Sequence, residues 1–122
     1  MIVRLVCMKV IPEKLAEFQR IYAEACDRIR SFPGCEFLQL LLDTEGEGNV
    51  YTISHWRSPE HLEAYRGSAF FRGVWARLKP LFRDKPWAQS TTVLIDSSEI
   101  KRAAQLAARE ERSGYVPHRP AA

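Results

Sequence analysis

The chain has 122 residues, of which 46% are hydrophobic and 27% are charged, so it can bury one core and has the composition of a globular domain. Its formal net charge is +3 and the charges are mixed along the chain, which is too weak a bias to predict a nucleic-acid or anionic membrane partner. No apolar run approaches the roughly 18 residues that a membrane-spanning helix needs, and the N-terminus lacks a signal-peptide pattern. We therefore expect a cytoplasmic protein with no nucleic-acid partner and no membrane partner.

The cysteines and histidines do not form a metal-binding or catalytic pattern. The chain has three of each: Cys7, Cys26, Cys35, His55, His61 and His118. An odd number of cysteines without metal-type spacing indicates reduced, buried thiols, and the histidines fall in three different kinds of predicted element. The chain also lacks a glycine-rich phosphate loop and a Gly-x-Ser-x-Gly nucleophile elbow. We therefore expect no metal and no cofactor.

The first predicted elements are a strand and a long amphipathic helix. Residues 2–10 are rich in branched apolar side chains, which favours a strand. Pro12 suits the first turn of a helix because it has no N–H to leave unpaired there. The apolar residues that follow recur at spacings of three and four: Leu15, Phe18, Tyr22, Ala25 and Ile29. This period predicts a helix with one apolar side, and we expect its charged side to face solvent.

A break and a pair of strands follow the helix. Phe32-Pro33-Gly34 ends the helix, and Gly34 is expected to adopt a positive φ. Residues 36–42 are predicted to form the second strand, residues 43–49 a polar hairpin loop and residues 50–56 the third strand. Neither the even nor the odd positions of the third strand are all polar, so we expect both of its faces to be covered.

Two helical segments and a last strand complete the pattern. Ser58 is expected to accept a hydrogen bond from the first turn of a helix over residues 59–66. Gly67-Ser68 interrupts this helix, and helical structure is expected to resume over residues 69–81. A β-branched run at residues 88–95 predicts the fourth strand.

The element order β-α-β-β-α-β predicts an α+β, ferredoxin-like fold with an antiparallel sheet. Helices cover only one face of such a sheet, yet the predicted second strand is apolar on both sides. One side carries Phe37 and Leu41, and the other carries Leu38, Leu40 and Leu42. A second copy of the chain is the economical cover for the free face. We therefore expect a homodimer through the sheet face, which makes a dimeric α/β barrel.

The C-terminal segment is extra to this pattern. We expect residues 1–97 to form the ferredoxin-like domain and residues 98–122 to add a helix and an extended tail. Asp96 or Ser97 can cap the helix, and Gly114 can end it. Its apolar stripe is thin and such a helix is marginal alone, so we expect it to dock on the dimer. The alternative is a solvated appendage.

Several motifs together resemble the antibiotic biosynthesis monooxygenase (ABM) family of dimeric α/β barrels. They are Val10-Ile11-Pro12-Glu13, Phe32-Pro33-Gly34-Cys35, the strand end Trp56-Arg57-Ser58, the helix start His61-Leu62-Glu63-Ala64-Tyr65, the Ser68-x-x-Phe71 step and the apolar run from Trp75 to Phe82. The resemblance covers roughly residues 1–95. It implies the fold and the dimer strongly and the chemistry weakly, since the family includes oxygenases of aromatic polyketides, quinol oxidases and haem-degrading enzymes.

The third strand and the aromatic helices contain the candidate site residues. If the even positions of the third strand face the helices, they line the space between the two layers. In family members with oxygenase activity, a strand-end tryptophan lies in that cavity. The candidates for substrate binding are Thr52, Ser54, Trp56, Tyr65, Phe71 and Trp75. Aromatic residues at these spacings are also typical of a core, and Trp56 in particular can be a core residue whose indole N–H bonds to a carbonyl.

Other residues have weaker claims to a functional role. His55 lies on the opposite face of the third strand and is either a base or, more simply, a histidine in the dimer interface. His61 should point to solvent from its helix. The helix arginines Arg72 and Arg77, together with Arg83, could contact an acidic ligand, but positions on a solvated helix face are the simpler explanation.

The resemblance does not transfer a catalytic residue to this chain. The histidine that ligates haem iron in the haem-degrading members falls at Trp75, their helix-two tryptophan falls at Tyr65, and their strand-one asparagine falls near Cys7. The asparagine of the polyketide oxygenases falls near Thr52. Haem degradation is therefore not expected, because tryptophan cannot ligate iron.

Two functions stay open on the sequence. The first is a cofactor-independent monooxygenase that acts on a small aromatic or quinol-type substrate. The second is a non-catalytic dimer that binds a small hydrophobic ligand or a partner protein. The absence of a clear acid–base pair favours the second, and the aromatic set fits both.

Overall fold

The computed structural model describes residues 1–97 together with residues 107 and 108. Residues 1–92 form one compact unit and a second unit begins at residue 93. The strands of the first unit are β1 (Ile2–Lys9), β2 (Cys35–Leu42), β3 (Asn49–Trp56) and β4 (Trp87–Thr91), and the helices are α1 (Leu15–Arg30), α2 (Pro59–Arg66) and α3 (Ala69–Leu78). Short 3₁₀ turns, Pro12–Lys14 and Lys79–Leu81, precede α1 and follow α3. Within the described residues, no helix is both long and apolar enough to cross a membrane.

The four strands form one antiparallel sheet in the order β2-β3-β1-β4. The element order and this sheet confirm the predicted α+β, ferredoxin-like class. β1 and β3 are the central strands, so side chains in the middle of either strand have neighbours on both sides. This arrangement matters for the site, because residues distant in sequence become adjacent across the sheet.

The even positions of β3 face the helices, which is the condition under which the sequence analysis placed the candidate site residues in one space. Val50, Thr52, Ser54 and Trp56 are all buried, while the odd position Tyr51 is exposed. α1 covers this side of the sheet with a buried stripe: Phe18, Ile21, Tyr22, Ala25 and Ile29. Four of these five belong to the predicted stripe. The fifth, Ile21, was not part of the prediction, whereas Leu15, which was, is only half-buried.

Two serine side chains cap α2 and α3, and the second of them also holds the break between these helices. The Ser58 hydroxyl accepts from His61 N (3.2 Å) and so caps α2, as predicted. The Ser68 hydroxyl accepts from Phe71 N (3.1 Å) and donates to Tyr65 O (2.7 Å), which joins the end of one helix to the start of the next. Since the chain turns at Gly67, the aromatic residues of both helices can approach the same part of the sheet.

The fourth strand is shorter than the sequence predicted. It was expected at residues 88–95, but it ends at Thr91, which pairs with Val3. β1 itself begins at Ile2, so one residue further along β4 the ladder has almost no partner strand left. β-branched residues alone cannot extend a strand that has nothing to pair with. Apart from residues 107 and 108, the predicted helix and tail at residues 98–122 lie outside the described residues, and their docking stays a prediction.

Gly34 lies in the turn between α1 and β2 and packs against the ring of His61. Gly34 has φ 86°, as predicted. The expectation that His61 points to solvent was wrong: its ring lies directly over Gly34, and its Nδ1 is 2.7 Å from the Ser58 hydroxyl. A side chain at residue 34 would occupy the space that the ring fills, so only glycine fits there.

We expect Gly34→Ala to lower the free energy of unfolding by about 3 kcal/mol, since it combines a left-handed backbone strain with a collision against His61. Gly46→Ala is the matched control. Gly46 also has a positive φ, 72°, but nothing lies within 4 Å of an added methyl group, so about 1 kcal/mol should be lost. Urea unfolding of both variants measures the difference. Equal losses would mean that the contact with His61 carries no steric constraint.

Candidate functional site

A cavity of about 530 Å³ lies between the helix-facing side of the sheet and the helices. All six residues proposed from the sequence line it: Thr52, Ser54, Trp56, Tyr65, Phe71 and Trp75. The volume is in the range typical of small-molecule sites. The structure therefore brings the candidates into one space, and their role in binding a substrate stays a prediction.

Trp56 links the sheet to α2 at one end of the cavity. It is only 1% exposed, and its ring stacks on Tyr65 with centroids 4.9 Å apart and an angle of 20° between the planes. Its Nε1 donates to Ser54 Oγ (2.9 Å), not to a carbonyl as the sequence suggested. Trp56 is thus both a core residue and a cavity wall, because its buried ring closes the core on one side and lines the open space on the other.

The aromatic wall continues from Tyr65 along the two helices. Phe71 packs edge-on against Tyr65 with centroids 5.1 Å apart, and Trp75 lies 5.8 Å from Phe71. Trp87 borders the cavity at the edge strand, but its pairing with Cys7 places its side chain on the opposite face of the sheet. A flat aromatic ligand fits such a wall, because rings gain both buried area and favourable ring–ring geometry against it.

A single row of cross-strand neighbours, three of which are polar, crosses the sheet beside the aromatic wall. Cross-strand pairing aligns Leu38, Ser54, Arg4 and Ser90 on neighbouring strands, and all four point to the helix side. Arg4 Nη1 donates to Ser90 Oγ (2.9 Å). Burial lowers the pKa of Arg4 and nearby Arg66 lowers it further, while Glu63 acts in the opposite direction. Arg4 thus brings a cation to the wall of the cavity.

Arg4 is the functional candidate that the sequence analysis missed. The available clue was its position: an arginine in an apolar strand, on the same side as Val6 and Met8, which both line the cavity. Three further cations line the cavity: Arg66, Arg72 and Lys79. Among the described residues that line it there is no aspartate, glutamate or histidine. The cavity is therefore suited to an anion and offers no conventional general base.

The helix arginines considered earlier divide between the cavity and the outer surface. Arg72 lines the cavity, with Nη1 donating to Gly67 O (2.6 Å). Arg77 instead pairs with Glu24 at 3.3 Å. Arg83 Nη1 donates to Val10 O (2.7 Å), which ties the segment after α3 to the end of β1. Neither of the last two lines the cavity.

Three hydroxyl groups in the cavity have no protein partner. Tyr22 and Thr52 are each 8% exposed, and Tyr65 is half-buried. No hydrogen bond joins these hydroxyls to another described residue, yet their oxygens keep access to the cavity. Burial raises the pKa of Tyr22 and of Tyr65 well above the usual phenol value. Both phenols therefore stay protonated near neutral pH and can donate a hydrogen bond to a ligand.

His55 and the other potential ligands of a metal lie apart from one another. His55 is on the free face of the sheet, where its ring lies 4.7 Å from Phe37, so it cannot act in the cavity. Within the described residues, no three histidine, cysteine or acidic side chains come together in a way that could hold a metal. Cys7 and Cys35 are buried and free, whereas Cys26 is also free but only half-buried, contrary to the expectation that all three are buried.

The fold and the cavity define a small α+β protein with an internal cavity between its sheet and its helices. The sequence model of the antibiotic biosynthesis monooxygenase family matches residues 1–77, which is more than half of the 122 residues. The chain therefore belongs to this family, and the resemblance found in its motifs is confirmed. No curated protein sequence matches the chain.

Solved structures show the same fold at low sequence identity. A provisionally assigned antibiotic biosynthesis monooxygenase from Caulobacter crescentus is 23% identical with a TM-score of 0.72, over 77% of this chain and 90% of its own. Rv0793 from Mycobacterium tuberculosis is 17% identical with a TM-score of 0.72, over 79% of this chain and 97% of its own. At these identities the likeness establishes the fold and leaves the substrate open.

The raised pKa values of Tyr22 and Tyr65 predict a loss of stability in alkali. Both folded-state values lie above the unfolded value of about 10, so their contribution is complete below that pH and is lost as the pH rises further. The double variant Tyr22→Phe/Tyr65→Phe should flatten the decline in urea midpoint between about pH 9.5 and 11.5. Phe71→Leu, which changes the same aromatic wall without removing a titrating group, is the control. An unchanged decline in the double variant would contradict the assignment.

Proposed function

We propose that the protein is a cofactor-independent monooxygenase that oxidises a small aromatic or quinol-type substrate in the cavity between sheet and helices. Family membership supports the reaction class. The observation that carries the proposal is the cavity itself, with an aromatic wall of Trp56, Tyr65, Phe71 and Trp75 on one side and Arg4 on the other. These groups can hold an electron-rich ring and stabilise its anion.

The chemistry needs no external reductant. An electron-rich substrate anion passes one electron to O₂, and the two radicals combine to a peroxide. In an anthrone, the CH₂ carbon gains one oxygen atom, and its two hydrogens leave with the second oxygen atom as water. A quinol instead gives two electrons and two protons to O₂, which yields a quinone and hydrogen peroxide, so with a quinol the same site acts as an oxidase and no oxygen atom enters the product. In either case the reducing electrons come from the substrate.

The protein's part is to favour the substrate anion and to exclude water. A cation beside a phenol or an enol lowers its pKa, so Arg4 and Arg66 can replace a general base. The Tyr22 and Thr52 hydroxyls can bond to the substrate's oxygens. The aromatic side chains keep the reacting ring in a site of low polarity, where these electrostatic interactions are stronger than in water.

The second candidate function is a non-catalytic module that binds a small hydrophobic ligand or a partner protein. It is favoured by the lack of an aspartate, glutamate or histidine among the described residues that line the cavity. A binding module needs only the aromatic wall, whereas an enzyme must also move a proton. The two functions differ in whether a bound ligand consumes oxygen.

Oxygen uptake with a panel of quinols and anthrones tests the choice. We expect turnover with at least one substrate, and we expect Trp75→Ala to lower kcat/KM by about tenfold because it removes part of the wall. Arg77→Gln, outside the cavity, should leave the rate unchanged. If no substrate consumes oxygen while ligands still quench tryptophan fluorescence, the oxygenase proposal fails and the binding module stands.

The homodimer belongs to the same proposal. The face of the sheet turned away from the helices carries apolar side chains on every strand, including the exposed Leu41, Tyr51 and Trp87. A second copy that pairs its own free face with this one would remove that surface from water. A cytoplasmic location is also part of the proposal, and it agrees with three free cysteines.

We expect Ile53→Arg to convert the dimer into a monomer, because Ile53 lies at the centre of the free face and a buried arginine there would have no partner. Glu45→Arg, in the exposed hairpin loop, introduces the same side chain as a control. Sedimentation velocity at micromolar concentration measures both. A wild-type monomer, or a dimer that survives Ile53→Arg, would count against a dimer through this face.

A further inference from the structure

Among the cations that line the cavity, Arg4 is the one that the sheet supplies, and Arg66 is close enough to act on it. Arg4 lies on the central strand β1, with Ser54 directly across on β3 and Ser90 directly across on β4. Its side chain therefore leaves the sheet between two hydroxyl-bearing neighbours and lines the cavity. Short polar neighbours leave room for a ligand group beside the guanidinium.

No carboxylate of the described residues forms a salt bridge with Arg4. Among residues 1–97 no aspartate or glutamate oxygen lies within salt-bridge distance of it, and its one side-chain hydrogen bond is to the neutral Ser90 hydroxyl. Glu63 is near enough to act on Arg4, but its carboxylate is bonded to Arg66 at 2.9 Å. Arg66 also repels Arg4, which lowers the pKa of Arg4 in addition to the effect of burial. An anion would relieve both effects.

The guanidinium keeps enough donors for such an anion. Arg4 has five N–H groups in a planar fork, and one of them is used by Ser90. A carboxylate matches the fork with two parallel hydrogen bonds, which gives a fixed orientation as well as attraction. The ring that carries the carboxylate would then extend along the aromatic wall.

The unpartnered hydroxyls lie where a second ligand oxygen would reach. Thr52 pairs with Val6, two residues along β1 from Arg4, which is a distance of about 7 Å along the strand. Thr52 and Tyr22 are more than nine-tenths buried, and their hydroxyls have no partner among the described residues. A benzene ring that carries a carboxylate and a hydroxyl can bridge this separation, because the long Arg4 side chain can adjust its reach.

We propose that the cavity selects a hydroxylated aromatic carboxylate, specifically a hydroquinone carboxylate, whose acid group binds Arg4 and whose ring oxygen bonds to Thr52 or Tyr22. The ring lies against Tyr65 and Trp75. The oxidation of this ligand rests on the proposed function: the hydroquinone gives two electrons and two protons to O₂, which becomes hydrogen peroxide, and the carboxylate is unchanged. The binding preference does not depend on turnover.

The test compares two probes that differ in charge and little else, 2,5-dihydroxybenzoate and its neutral amide, 2,5-dihydroxybenzamide. Binding to the full chain is measured without oxygen by calorimetry, with quenching of tryptophan fluorescence, to which Trp56 and Trp75 of the cavity contribute, as a second readout. We expect the carboxylate to bind at least about tenfold more tightly than the amide, since hydrogen bonds to a charged partner are the stronger kind. A ratio near one overturns the proposal.

Variants then test whether Arg4 causes the preference. Arg4→Gln should bring the two dissociation constants within about twofold of each other, and Arg4→Lys should keep part of the ratio because it keeps the charge but loses the fork. Arg77→Gln, whose partner is Glu24 outside the cavity, should leave the ratio unchanged. A full ratio in both Arg4 variants assigns the anion to another cation and refutes this site. If Arg4→Gln does not fold, the ratio in Arg4→Lys decides.

Oxygen uptake with the same two probes keeps the two proposals apart. Tight, charge-selective binding without uptake contradicts the oxygenase and leaves the aromatic acid as the ligand of a binding module. Uptake that is equal for acid and amide, with equal binding, supports the oxygenase and removes Arg4 as the residue that selects the substrate.

Discussion

The stack of Trp56 on Tyr65 is the contact on which the cavity depends. It joins the last residue of a central strand to α2, and the hydrogen bond from the indole to Ser54 fixes the ring's orientation. α3 begins only three residues after α2 ends, so the position of α2 also places the rest of the aromatic wall. A cavity forms because large rings at one end hold the two layers apart, while small side chains such as Ser54 and Thr52 occupy the sheet beneath.

The cations that line the cavity are not arranged as stability alone would require. Four cations line it without an acidic residue among the described lining residues, and two of them, Arg4 and Arg66, are close enough to repel. A protein selected for stability alone would pair or remove such charges. The arrangement is tolerable because Arg66, Arg72 and Lys79 are exposed, so water screens them. Arg4 is the exception, since it is half-buried, so a bound anion would stabilise its charge more than that of the other three cations.

Local chemistry made most of the fold predictable. The glycine with positive φ at residue 34, the Ser58 cap and the break at Gly67 each follow from a few neighbouring residues, and all are present. Two of the predictions that failed concern contacts between distant segments. β4 ends early because its partner strand runs out, and His61 leans over Gly34, 27 positions before it, instead of entering solvent. Such outcomes depend on register and packing, which propensity does not contain.

The sequence by itself determined the family, the order of elements and the aromatic residues of the cavity, because motifs, periodicity and capping are encoded locally. Only the tertiary structure decided that Arg4 lies beside Ser54 and Ser90 and in the same cavity as the helix cations. These residues are up to 86 positions apart in the chain. Their meeting is set by strand order and register across the sheet, a long-range property that no local pattern of residues expresses.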